Sequence, residues 1–184
     1  SGRGTAYGGE LFVQKKLGAI TGWIGYTLSW ADRTFPELND GKTFPPRYDR
    51  RHDISIVANY RLGKTWEFTA VWVYGTGQAF TFPVAQYSLD GYDSHFLYSE
   101  RNGYRLPAYH RLDLNFSHAF SWFGWQWKAS INVYNAYNHY NPFSQYIKRE
   151  EVYDPVTGRS TSRNTLTQST ILPFLPTAGL SFVF

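Results

Sequence analysis

The connectors of this chain alternate short, long, short, long between stretches of regular apolar/polar alternation. Alternation of period 2 marks a half-buried β-strand. It predicts seven strands, near residues 5–17, 20–31, 50–61, 65–77, 108–120, 125–137 and 168–184. The joints at Gly18-Ala19, Leu62-Gly63-Lys64 and Ser121 to Gly124 are hairpin-tight. Those at Asp32 to Asp49, Gln78 to Pro107 and Asn138 to Thr167 are long. In an up-and-down antiparallel sheet every second connector falls on the same edge, so the short turns share one end and the long loops the other. A soluble sandwich has no reason to segregate its loops this way. A transmembrane β-barrel, with short turns on one side of the membrane and long loops on the other, does.

Successive side chains of a strand point to opposite faces. Between residues 125 and 134 one face reads Trp125, Trp127, Ala129, Ile131, Val133 and the other Gln126, Lys128, Ser130, Asn132, Tyr134. The preceding strand sets Leu112, Leu114, Phe116 and Phe120 against Arg111, Asp113, Asn115 and Ser117. A two-residue turn at Trp122-Phe123 places Phe116 opposite Ala129, Leu114 opposite Ile131, Asp113 opposite Asn132 and Ser117 opposite Lys128. Like meets like in that register, as a sound pairing requires. The middle hairpin pairs Ile54, Ile56, Ala58 and Tyr60 with Trp72, Ala70, Phe68 and Trp66, and Asn59 with Glu67. Its three-residue turn carries Gly63, as a bulged hairpin does. The first hairpin matches Leu11 and Val13 with Tyr26 and Ile24 around Gly18, although Phe12 and Trp23 then fall on the polar face.

An apolar face looks either into a soluble core or into lipid, and two details favour lipid. The apolar stripes run about five alternate positions, close to the roughly 9–11 residues a tilted strand needs to cross a bilayer. Aromatic residues also crowd both strand ends. Tyr60, Trp66, Trp122, Trp125 and Trp127 lie near the short turns, and Trp30, Trp72, Tyr74, Tyr134 and Tyr137 toward the long loops. Rings with a polar tip prefer the two membrane interfaces, whereas a core collects large rings mid-strand. Aromatics make up 20% of the chain while mean hydropathy is only −0.43. That pairing suits a wall with one greasy face, one wet face and polar loops. The uncharged run from Thr165 to Phe184 holds Pro173, Pro176 and Gly179, which argue against a helix.

Cysteine is absent, so thiol, disulfide and cysteine-zinc chemistry are excluded. Net charge is +4, with Lys and Arg scattered. A nucleic-acid reader would gather them into a groove beside stacking aromatics, and no nucleic-acid partner is expected. Methionine is also absent and the chain starts Ser1-Gly2-Arg3-Gly4, which does not read as a complete secreted precursor. Seven strands are odd in number and too few to close, since bacterial single-chain barrels use even numbers from about 8 upward. An open sheet would present unpaired edges to lipid. The expectation is a C-terminal segment, residues 1–184, whose missing strands lie upstream or in another chain.

The ending Pro176-Thr177-Ala178-Gly179-Leu180-Ser181-Phe182-Val183-Phe184 resembles the terminal strand of outer-membrane proteins. Four further stretches extend the resemblance over essentially the whole chain. They are Tyr7-Gly8-Gly9-Glu10 leading to Gly22-Trp23-Ile24-Gly25-Tyr26-Thr27-Leu28-Ser29, then Phe44-Pro45-Pro46-Arg47-Tyr48-Asp49-Arg50-Arg51-His52-Asp53, Tyr109-His110-Arg111-Leu112-Asp113, and Asn132-Val133-Tyr134-Asn135-Ala136-Tyr137-Asn138. Together they resemble the C-terminal barrel of TonB-dependent outer-membrane receptors of the Bacteroidetes type. The resemblance implies an all-β, transmembrane, antiparallel up-and-down barrel of about 22 strands, of which these are the last seven. It further implies residence in the outer membrane of a Gram-negative bacterium, with a plug domain and a TonB-contacting segment elsewhere. A surface lipoprotein lid and the barrel-assembly machinery, the latter reading Phe184, are the remaining implied partners. A passive porin, a structural outer-membrane subunit and a soluble β-sandwich carbohydrate-binding protein are the competing readings. The residues do not choose among glycan, peptide, siderophore and cobalamin.

Three groups of residues are candidates for substrate contact. Arg47 and Arg51 stand in a run with Asp49, Arg50, His52 and Asp53, where guanidinium forks suit an anionic or sugar-like ligand. The plainer and preferred reading is an ion-pair network that pins a loop to the wall. Arg111, Asp113, Lys128, Asn132 and Tyr134, with Asn115, form a mixed-charge patch on the expected lumen face, where mutual pairing is again the plainer reading. Tyr146 belongs to the last long loop with Tyr140, Lys148, Arg149 and Tyr153, a set able to stack on rings and bond hydroxyls. Asp40, Asp90 and Asp93 suggest calcium, but Asp40-Gly41 and Asp90-Gly91 read more simply as turns, as does Asp154-Pro155-Val156-Thr157-Gly158. The five histidines lack metal spacing, and neither Ser117 nor Ser130 has the face parity to pair with His118. No enzyme activity, metal or cofactor is expected.

Overall fold

The computed structural model describes residues 1–89, 93–156 and 158–183. Its elements are β1 (Arg3–Lys15), β2 (Ile20–Thr34), β3 (His52–Leu62), β4 (Trp66–Gly75), β5 (Ala79–Phe80), β6 (Pro83–Leu89), β7 (Asp93–Tyr98), β8 (Tyr104–Arg105), β9 (Tyr109–Trp122), β10 (Trp125–Tyr134), β11 (Pro142–Asp154), β12 (Arg159–Thr170) and β13 (Leu175–Val183). Among the described residues a single 3-10 turn, Asn39–Gly41, interrupts them. The fold is all-β. Seven strands form one antiparallel sheet in the order β1-β2-β3-β4-β9-β10-β13, each beside its predecessor in the sheet. The described residues leave this sheet open, with β1 and β13 at its edges.

The long connectors hold more structure than simple loops. Between β4 and β9, β5 pairs with β8 and β6 with β7; between β10 and β13, β11 pairs with β12 over almost its full length. Gln168, Ser169 and Thr170, expected in the last sheet strand, belong instead to β12. The sheet strand begins only at Leu175. Asp40-Gly41 does turn, with φ of 55° and 72°. Asp90, Gly91, Thr157 and Phe184 lie outside the described residues, as does the side chain of Asp93.

The first hairpin pairs Leu11 with Tyr26 and Val13 with Ile24, as the sequence predicts. The other two correct the expected register by two residues. Ile56 faces Trp72 and Ala58 faces Ala70. Phe116 faces Ile131, Leu114 faces Val133, and Lys128 sits opposite Ala119 rather than Ser117. The reason is that a pattern of period 2 is blind to a slip of two, which keeps every side chain on its face. Turn chemistry decides between such registers. Phe123 (φ 51°) and Gly124 (φ 80°) are the left-handed central pair that a two-residue type I′ hairpin requires.

Following the ladders across all seven strands gives two faces. One face carries no Asp, Glu, Lys or Arg from Tyr7 to Val13, Ile20 to Trp30, Ile54 to Leu62, Trp66 to Tyr74, Leu112 to Trp122, Trp125 to Val133 and Pro176 to Phe182. We call it the outer face. Among the described residues nothing covers it: Ile131 is 54% exposed and Leu180 63%. Trp66 to Tyr74 alone spans about 26 Å at the usual rise per strand residue. Rings cluster at both ends, with Trp125 and Trp127 against Phe182 at 5.1 and 4.8 Å near the short turns, and Tyr7 on Trp30 at 5.3 Å near the long connectors. The inner face carries Glu10, Asp53, Arg61, Glu67, Arg111, Asp113 and Lys128.

The accessible surface is 13186 Å² for 21.3 kDa, against about 9,100 Å² for a compact monomer of that mass. The excess follows from where the buried residues are. Phe44, Ala79 and Leu106 are the buried hydrophobic residues among those described, and all three sit in the long connectors rather than on the sheet.

Candidate functional site

Connector 35–51 folds back along the end of β2 and is locked to connector 76–108 by one buried carboxylate. The Asp49 side chain is 1% exposed. Its Oδ1 accepts the Ala31 N–H at 2.9 Å, and its Oδ2 is gripped by Arg105 and lies 3.7 Å from Arg51. Arg105 donates from Nη1 to the Asp49 carbonyl at 2.8 Å and to that of Gly77 at 3.2 Å. Arg51 donates to the Ser29 carbonyl at 3.0 Å and lies over the Trp30 ring at 4.7 Å. Two guanidiniums and a backbone amide take the place of the water this carboxylate gives up on burial. The lock is extended by Asn102, which donates to the Pro45 carbonyl, and by Arg101, which stacks over Phe44. At the rim Lys42 meets Glu100 at 2.7 Å, whose hydrogen bond and charge raise the lysine's pKa above its ordinary value.

A second polar cluster closes the upper end of β9 and β10. Arg111 donates to Asp113 at 3.0 Å and to the hydroxyls of Tyr109 and Tyr134, and its guanidinium lies 4.1 Å from the Tyr134 ring centre. The other Asp113 oxygen accepts the N–H of Asn135 at 3.0 Å. Asn135 is fully buried, takes a left-handed φ of 54°, and clasps both the N–H and the carbonyl of His139. Asparagine is the side chain that tolerates this backbone and bonds locally. The run Asn135-Ala136-Tyr137-Asn138 is thus the stop of β10 and the foot of the last connector.

The eight residues singled out from the sequence do not converge on one site. Arg111, Asp113 and Tyr134 come together, but as a mutually satisfied set. Asn132 takes a hydrogen bond from Asn115 on the same face. Lys128 lies near the short turns, 3.5 Å from Glu67. Arg51 serves the lock. Tyr146 stands half-exposed on the β11–β12 hairpin, opposite Thr167. Two of the eight face cavities: Lys128 lines a hollow of about 440 Å³ near the short turns, with Arg61, Lys64 and Glu67, and Arg47 faces a smaller one at the other end. This hollow, of about 220 Å³, opens where the roots of the three long connectors meet and is lined by Arg47, Arg50, Gln78, Tyr109 and Phe143, among others. Larger hollows of about 500 and 460 Å³ lie on the outer face over Ala129 and Ala178 and over Ala58 and Ala70, and are almost wholly apolar.

Sequence reasoning missed Arg105, which carries no periodic signal in its connector, and Phe143, which follows the Asn turn. Tyr109 lay in a motif already noted. Among the described residues no three His, Asp or Glu side chains gather as metal ligands would. The chain matches no protein-family model, no curated protein and no solved structure.

Proposed function

We propose that this chain forms part of the wall and outer crown of an outer-membrane β-barrel that takes up a nutrient by TonB-dependent active transport. The observation that carries the reading is the uncharged, uncovered outer face. A water-soluble sheet of this size would lay a second layer over it; lipid is the other solvent that accepts it. Its height suits the roughly 25 Å apolar band of outer-membrane barrels, and the rings at both ends suit the interfacial girdles. The long connectors then face the outside and the inner face lines the lumen. The chain's two sheet edges are completed by the remaining strands of the barrel, a plug domain fills the lumen, and energy coupling reaches the plug through TonB. A surface lipoprotein and the assembly machinery are further partners.

Membrane fractionation and uptake test this in sequence. The full-length protein should partition with the outer membrane and need detergent for extraction, and uptake should stop when TonB is removed. Uptake that persists without TonB would make the protein a passive porin. A protein that stays in solution without detergent would restore the soluble carbohydrate-binding sandwich and end the transport reading.

A further inference from the structure

We propose that the hollow at the roots of the three long connectors is a subsite for a carboxylate-bearing ligand, with Arg47 as its binding group. The proposal rests on the transport reading only for the side from which the ligand arrives. Its ground is a charge imbalance inside an otherwise paired neighbourhood. Arg33 bonds the Tyr48 hydroxyl, Arg51 and Arg105 hold Asp49, and Arg101 stacks on Phe44. Arg47 is exposed and, among the described residues, has no hydrogen bond, ion pair or ring partner. Its companion Arg50 stands 3.6 Å from Asp53, longer than the roughly 2.7–2.9 Å of a charge-assisted hydrogen bond. No Asp or Glu lines the hollow. Two guanidiniums therefore border a recess that supplies them with no anion.

The rest of the lining narrows the class. A guanidinium fork matches the two oxygens of a carboxylate in plane. Gln78 adds an amide, while Tyr109 and Phe143 add ring faces for the body of the ligand. At about 220 Å³ the space falls below the usual 300–1,000 Å³ of a drug-sized site, so it holds one sugar-acid or amino-acid unit. The wall behind it is stiff. A Cβ on Gly77 would stand 1.5 Å from the Leu106 carbonyl oxygen, so the two backbones touch there, and Arg105 ties Gly77 to Asp49.

Calorimetric titration of the full-length protein in detergent, at low salt, tests the proposal with D-glucuronate, N-acetyl-L-aspartate and neutral D-glucose as probes. At least one carboxylate should bind ten-fold or more tightly than glucose, and the stronger of the two identifies the sugar acid or the amino acid as source. Arg47→Gln should weaken that binding at least ten-fold, Arg47→Lys should weaken it less, and Lys16→Gln, exposed at the opposite end of the strands, should leave it unchanged. Circular dichroism confirms that each variant is folded. Equal binding of glucose and both carboxylates, or an Arg47→Gln variant that binds like the parent, would overturn the subsite. TonB-dependent uptake would in that case still stand, whereas a protein soluble without detergent would sink the transport reading and leave the titration to be judged alone.

Discussion

The sheet and the connectors at its open end reverse the arrangement of a soluble protein. Along the strands, large apolar side chains such as Leu11, Ile24, Ile131 and Leu180 lie uncovered, and Ser117 is the one buried residue among the hydrophobic and polar positions of the sheet. In the connectors, which a soluble fold leaves wet and loose, Phe44, Ala79, Leu106, Asp49, Asn135 and Asn141 are buried. Packing has moved to the end. The wall relies on its ladders and on whatever solvent meets its outer face, while the crown is held by its own small core and by ions removed from water. Within the crown there is a further contrast. Connectors 35–51 and 76–108 are locked together, whereas β11 and β12 form a hairpin with polar residues on both faces and exposed side chains along most of its length.

The largest effect should come from opening the lock. Asp49→Ala strands Arg105 beside buried carbonyls, and removing one partner of a buried pair costs roughly 3–5 kcal/mol. Hydrogen exchange should show the amides of 35–51 and 76–108 losing protection while β9 and β10 keep theirs. Equal loss in the sheet would mean that crown and wall are a single unit. Next in size is a charge on the outer face. Ile131→Arg should cost roughly 2–4 kcal/mol in folding into lipid vesicles, and Asn132→Arg, one residue away on the inner face, much less. Similar costs for the two would remove the distinction between the faces. The smallest effect belongs to the hairpin. Lys148 and Glu150 pair at 3.1 Å with both side chains about half exposed, so Lys148→Gln should change stability by under about 0.5 kcal/mol. A larger change in the melting temperature would show that the hairpin packs on something.

The two faces were legible because alternation depends on each residue's own neighbours. Leu112, Leu114 and Phe116 lie on one side and Arg111, Asp113 and Asn115 on the other whatever the register. Register was legible only where the turn was read correctly, at Gly18. Elsewhere a slip of two satisfied the same pattern, and Phe123-Gly124 held the deciding information in a backbone conformation rather than in polarity. The lock was half legible. The run around Asp49 suggested pinning, but Arg105 is far along the chain in a stretch without period, and no local rule joins them. The cavity was not legible, because its lining comes from three connectors that meet only once the sheet is built.

The segregation of connectors also bears on how such a molecule can change over time. Closing a longer connector costs entropy only as the logarithm of its length, about 0.6 kcal/mol for each doubling. The 135–174 connector is more than twice as long as 35–51, yet both return the chain to the neighbouring strand of one sheet. Insertions at that end therefore carry a small thermodynamic penalty and leave every ladder intact, whereas an extra residue inside a strand would turn its greasy side inward. Lineages can rewrite the connector end of the molecule while inheriting the sheet unaltered.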